Sequence, residues 1–224
     1  LKRATGARLY ASAEDALLLE AGGRGDFFLR DAMIYEPVGV DHRIADGQRV
    51  TLGEVSLTAH LTPGHTKGCT SWSFPIIVDG REVRALIVCS LSTLAYRLDG
   101  NSRYPNIASD YERTYRILHA LPCELFLSDH AKFFDLERKR RTLLAGVASN
   151  PFIDPQGCRA FIDREERAFR ARLPDGAPSA LSRRSRSLAS AQAGRAPLQR
   201  GRQMRSRSHQ DRRWPTLYAE ISKR

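Results

Sequence analysis

Asp79-Gly80 separates Thr70–Val78 from Val83–Cys89, and both its residues accept the positive φ that a two-residue hairpin turn requires. The second run ends in Ala85-Leu86-Ile87-Val88-Cys89, which is apolar throughout. A strand of that kind is covered on both faces, so the chain must layer other elements against its sheet. A second hairpin is read in Val50–Leu61, where Val50 and Leu52, then Val55, Leu57 and Ala59, alternate with polar residues around Gly53-Glu54.

Helical signals surround these strands. A short strand begins near Leu9, and Ser12 then caps a helix with Asp15 three residues on and apolar Ala16 to Leu19 behind it. Gly22, Gly23 and Gly25 stop that helix, and a long connection from Phe27 to Asp46 follows. Ser109 or Asp110 is expected to cap a helix through Ala120, with Tyr111, Tyr115 and Leu118 on one face. Pro122 ends it, Glu124–Leu127 forms a short strand, and helices at about Leu136–Ala148 and Cys158–Leu173 complete the body. The expected class is a layered α/β domain over residues 1–173.

The net charge of +11 invites a nucleic-acid reading, so its distribution matters. Residues 174–224 hold 12 Lys and Arg against 3 Asp and Glu; the other 173 hold 24 against 22. The body is nearly neutral, and the basic, Arg/Ser-rich 174–224 tail is expected to be disordered. Its composition would also result from a shifted reading frame. No run approaches the roughly 18 apolar residues that span a bilayer, so no membrane segment is expected. The first six residues lack the apolar stretch of a secretion signal. Four cysteines, at 69, 89, 123 and 158, include no C-x-x-C pair and allow three complete pairings.

Thr62-Pro63-Gly64-His65-Thr66 follows directly on a predicted strand. Pro and Gly make a tight turn that lifts His65 off the end of the sheet, where an imidazole can serve as metal ligand or general base. His130 lies just past the apolar Leu125-Phe126-Leu127, so the two histidines are expected at a common rim. Ser90 and Ser92 follow the most apolar strand, where hydroxyls can hold a substrate carboxylate or simply end the strand. His60 is read as projecting from a strand, His42 as lying in the long loop, His119 as ending a helix and His209 as part of the tail.

Together, His60–Thr66, Cys89-Ser90-Leu91-Ser92, Gly100-Asn101-Ser102-Arg103-Tyr104-Pro105, Leu121-Pro122-Cys123 and His130 resemble the metallo-β-lactamases, above all the third subclass of class B. The resemblance implies an αββα sandwich, here its carboxy-terminal part. It also implies two zinc ions, a small-molecule β-lactam substrate and a periplasmic location. By the resemblance, His65 matches the third histidine of the first zinc site and His130 the last histidine of the second. Ser90 and Ser92 match the serines lining the pocket, and Cys123 and Cys158 match a disulfide found in some members. Cys89 departs from the Asp expected before the first serine, and a buried strand thiol there is expected to be inert.

The family's His-x-His-x-Asp-His motif does not occur: the histidines stand at 42, 60, 65, 119, 130 and 209. In the family that motif comes just before a segment resembling residues 1–10. The chain is therefore expected to lack it by truncation, keeping one of the usual three protein ligands for each zinc. Zinc binding is expected to be weak and β-lactam hydrolysis slight or absent. The rival readings are a glyoxalase II-like thioesterase or a lactonase, which carry an acidic metal-bridging residue about where Ser90 stands. An inactive remnant and nucleic-acid binding through the tail complete the list.

Overall fold

The computed structural model describes residues 2–146 and 149–174. Apart from Pro174, the 174–224 tail lies outside the described residues, as does His209. A short helix α1 (Lys2–Thr5) precedes β1 (Tyr10–Ser12) and α2 (Ala13–Glu20). Ser12 caps α2, its Oγ accepting from the Asp15 N–H at 3.2 Å. Within the long connection lies a strand that the sequence pattern conceals, β2 (His42–Ile44), parallel to β1. Only three residues long and with a single buried side chain, it leaves no period to read.

The main sheet has five strands in the order β3 (Arg49–Leu52), β4 (Val55–Leu61), β5 (Thr70–Val78), β6 (Arg81–Val88) and β7 (Leu125–Ser128). The first four pair antiparallel, whereas β6 and β7 are parallel. At the β5–β6 turn Asp79 and Gly80 have φ of 50° and 74°, the positive pair that matches the strands' twist. Strand β6 is covered on both faces. Leu86 and Val88 join one apolar cluster with Phe126, Phe161 and Ile162, while Val83 and Ala85 join another with Leu125 and Phe74.

The first cluster is the main core, roofed by α3 (Ile107–Ala120) and α5 (Pro155–Arg170). Tyr111, Tyr115 and Leu118 of α3 are all buried there, Tyr111 stacking on Phe169 at 5.2 Å. Helix α3 starts ahead of the expected Ser109 or Asp110 cap, because Ser109 Oγ turns back to donate to the Asn106 carbonyl at 2.8 Å. Helix α4 (Leu136–Leu144) is shorter than expected, with Gly146 at φ 68° beyond its end. Helix α5 begins at Pro155, three residues early, because the Asp154 carboxylate accepts from the Gly157 N–H at 2.8 Å. Arg159 donates to the carbonyls of Leu118, His119 and Leu121 and so closes the end of α3.

Two disulfides cross-link the fold. Cys123 is joined to Cys158, fastening the end of α3 to α5, and Cys69 is joined to Cys89 across the start of β5 and the end of β6. Cys89 is thus no free thiol. Opposed strand ends bring its Cα to 6.0 Å from that of Cys69, within bridging range. Among the described residues no helix is long and apolar enough to cross a membrane.

Candidate functional site

Strand β5 is antiparallel to both β4 and β6, and β7 is parallel to β6, so β4, β6 and β7 point the same way. Their carboxy-terminal ends share one edge. Thr62 to His65 leave the first, Ser90 and Ser92 the second, and His130 the third.

The His65 turn is held on every side. Thr62 anchors it, its N–H donating to the Cys69 carbonyl at 2.8 Å and its hydroxyl lying 2.8 Å from Ser71 Oγ. Thr114 of α3 donates to the Pro63 carbonyl at 2.7 Å. Gly64 has φ 142°, a conformation essentially reserved to glycine. On the far side Asp15 accepts from Thr66 Oγ1 and from the Gly68 N–H, each at 3.2 Å. Burial holds the Asp15 carboxyl above the ordinary carboxylate range, although those hydrogen bonds pull it down.

His65 itself is half-buried, and its Nδ1 lies 2.8 Å from the Ser92 carbonyl oxygen. A carbonyl only accepts, so Nδ1 carries a proton, and in the neutral ring Nε2 then keeps its electron pair, the form a metal or an acid can use. The Tyr96 hydroxyl donates to the His65 carbonyl at 3.0 Å, and burial pushes that phenol up to about 12. Arg172 in turn donates to the carbonyls of Thr93, Leu94 and Tyr96, fixing the loop that carries Ser92.

Ser90 is buried, and its Oγ accepts from the Ser92 N–H at 3.3 Å, so that hydroxyl shapes the loop, whereas Ser92 is half-buried. The Ser90 N–H donates to Asp129 Oδ2 at 3.1 Å. Asp129, the residue before His130, is thereby tied to the serine loop. The His130 ring is exposed and meets Phe133 edge-on at 5.0 Å. Hydrogen bonds therefore run from His65 to Ser92, Ser90 and Asp129, ending one residue short of His130. The sequence pattern by itself gives no site role to Asp15, Tyr96, Tyr111, Asp129 or Arg172. Only Asp129, a carboxylate directly before a histidine at a strand end, carried a local signal. The other described histidines stand apart: His60 Nε2 lies 2.7 Å from Ser73 Oγ, His119 Nε2 lies 2.6 Å from Glu166, and His42, in strand β2 and not in a loop, stacks on Tyr10 of β1.

No protein-family profile matches the sequence. Solved structures do. The FEZ-1 metallo-β-lactamase from Legionella gormanii is 38% identical, with a TM-score of 0.73 over 76% of this chain and 66% of that one. A mutant form of a Cronobacter sakazakii metallo-β-lactamase with a HARLDQ motif is 37% identical, with a TM-score of 0.71 over 77% of this chain and 67% of that one. BJP-1, a subclass B3 metallo-β-lactamase of Bradyrhizobium japonicum, is 31% identical, with a TM-score of 0.70 over 84% of this chain and 67% of that one. This chain belongs to the metallo-β-lactamases. It spans about two thirds of the length of these relatives.

For a metallo-β-lactamase the donor set is sparse. Zinc needs three or four protein donors, usually thiolate, imidazole or carboxylate. Among the described residues no three His, Cys, Asp or Glu side chains are grouped so as to hold a metal ion. All four cysteines are consumed in disulfides and offer no thiolate. The described residues do not by themselves fit a zinc ion.

Proposed function

We propose that this chain is the pocket-bearing part of a β-lactam hydrolase, with His65 and His130 each supplying one donor to a different zinc ion. Ser92 is the side chain that meets the substrate carboxylate, and Ser90 sets the loop that presents it. The observation that carries the reading is the His65 Nδ1 to Ser92 carbonyl hydrogen bond at 2.8 Å. It leaves a ligand-type nitrogen on the same rim as the serine loop. Acylation by these serines has no support in the geometry, since among the described residues no imidazole is hydrogen-bonded to either hydroxyl. The reading places the protein in the bacterial periplasm, and two disulfides suit that oxidising compartment.

With one donor for each metal, the 224 residues alone hold zinc weakly and turn over β-lactams little or not at all. Metal analysis of the purified chain is expected to give clearly substoichiometric zinc, with no chelator-sensitive hydrolysis of nitrocefin. Joining a segment bearing His-x-His-x-Asp-His upstream is expected to restore both. Stoichiometric, tightly held zinc with chelator-sensitive turnover in the unextended chain would overturn the donor count. Thioester or lactone hydrolysis by the extended form, without β-lactam turnover, would overturn the substrate.

A further inference from the structure

The Ser92 carbonyl oxygen takes a second hydrogen bond. The Tyr111 hydroxyl, reaching from the middle of α3, donates to it at 2.8 Å, the same distance as His65 Nδ1. A carbonyl oxygen has two lone pairs, so these two donors saturate it. The Tyr111 side chain is buried, stacked against Tyr115 and Phe169, and has no freedom to follow a wandering loop. Its ring also packs under the His65 turn so closely that a Cβ on Gly64 would stand 2.8 Å from it. One core side chain therefore touches both the turn that carries His65 and the carbonyl that accepts the His65 proton.

From this we infer that Tyr111 is a positioning residue: by pinning the Ser92 carbonyl it fixes the His65 imidazole in the Nδ1-protonated form, with Nε2 bare. Free histidine in water favours the opposite tautomer, so the preference has to be imposed by a well-placed acceptor. Thr114, one turn along α3, steadies the same turn through the Pro63 carbonyl. The helix thus supports the loop and the turn from one rigid face. Tyr115 supplies the internal control. It lies on the same helix and in the same aromatic stack, but its buried hydroxyl has no hydrogen-bond partner among the described residues.

The inference rests on reading His65 as a donor nitrogen, yet its test needs neither metal nor substrate. Long-range proton–nitrogen spectra of the metal-free full chain, recorded well above the ordinary histidine titration range, report the tautomer of His65 directly. The unmodified chain is expected to show Nδ1 protonated and Nε2 bare. Tyr111→Phe is expected to lose that single-tautomer signature and move toward the Nε2-protonated form, while Tyr115→Phe keeps it. Retention of the signature in Tyr111→Phe, or an equal shift in both variants, overturns the proposal. Should Tyr111→Phe not fold, the unmodified chain still decides. A Tyr111 hydroxyl proton protected from exchange and coupled to the Ser92 carbonyl supports the assignment, and a freely exchanging one overturns it. Failure of β-lactam hydrolysis would leave all these outcomes unchanged.

Discussion

Ser90 and Asp129, 39 residues apart, are joined by a 3.1 Å hydrogen bond from the backbone N–H of one to the carboxylate of the other. The bond continues the β6–β7 ladder one step past its last backbone pair, Val88 with Ser128. Parallel strands cannot be joined by a hairpin, so a crossover carrying α3 separates the two halves of the rim. Asp129 is the side chain that brings them back into register where the histidines emerge.

The Gly64 turn is expected to tolerate no side chain. Gly64→Ala puts a Cβ 2.8 Å from the Tyr111 ring at a φ of 142°, and should cost about 3 kcal/mol or more in backbone strain and overpacking. Gly80→Ala meets open space at φ 74° and should cost only about 1 kcal/mol. Denaturant midpoints of the two variants check the contrast.

Lys139 is 1% exposed, its Nζ 2.8 Å from Asp154 Oδ2 and above the Phe126 ring at 5.6 Å. Asp154→Ala leaves that ammonium buried and unpaired and should cost about 3–5 kcal/mol, beyond the cap it removes from α5. Lys139→Met removes the buried charge itself and should cost far less. Equal losses in denaturant melts would contradict this account of the pair.

Burial alone would raise the Asp154 carboxyl, but the Lys139 ammonium and the Gly157 N–H hold it below the usual carboxylate range. Glu166 is lowered in the same way, against its own burial, by His119 and Arg170. Acids depressed by folding contribute stability fully above their unfolded values, near about 4, and lose it as pH falls through the lower folded values. Stability should therefore fall steeply below about pH 4, and Asp154→Asn should flatten part of that slope.

At the alkaline end the sign reverses. Burial drives Tyr96 up to about 12 and Tyr104, Tyr111 and Tyr115 higher still. Their contribution is complete below about pH 10 and is lost as pH rises through the folded values. Absorbance titration should show these four phenols silent until the fold opens, then ionising together with the loss of tertiary structure.

The disulfides should differ in what they protect. The chain-entropy estimate gives about 3 kcal/mol for Cys69–Cys89, spanning 20 residues, and nearly 4 kcal/mol for Cys123–Cys158, spanning 35. Cys69→Ser with Cys89→Ser should also move the amide resonances around His65 and Ser92. Cys123→Ser with Cys158→Ser should move those of α3 and α5 instead.

Both hairpins, the buried β6 strand and the aromatic face of α3 were legible because period and turn chemistry are local properties. The rim itself was legible as far as His65, Ser90, Ser92 and His130, each placed just after an apolar strand. What escaped was anything made by two distant segments. Asp15 reads as an ordinary first-turn acid of α2 until Thr66 and Gly68 fold onto it. Arg172 reads as a surface residue near the end of the last helix until the Thr93–Tyr96 carbonyls gather around it. Cys89 reads as an inert strand thiol with its pairing open, because nothing in the sequence says which strand end faces it.

The two hairpin turns, Gly53-Glu54 and Asp79-Gly80, close the ends of strands that run away from the histidine rim. The eight residues of β6 set the second of them roughly 26 Å from the rim end of that strand, at about 3.3 Å per residue. That makes Asp79-Gly80 a natural attachment point. A fluorophore, affinity tag or inserted reporter domain placed there would sit at the opposite pole of the sheet and leave the rim's chemistry to be observed undisturbed.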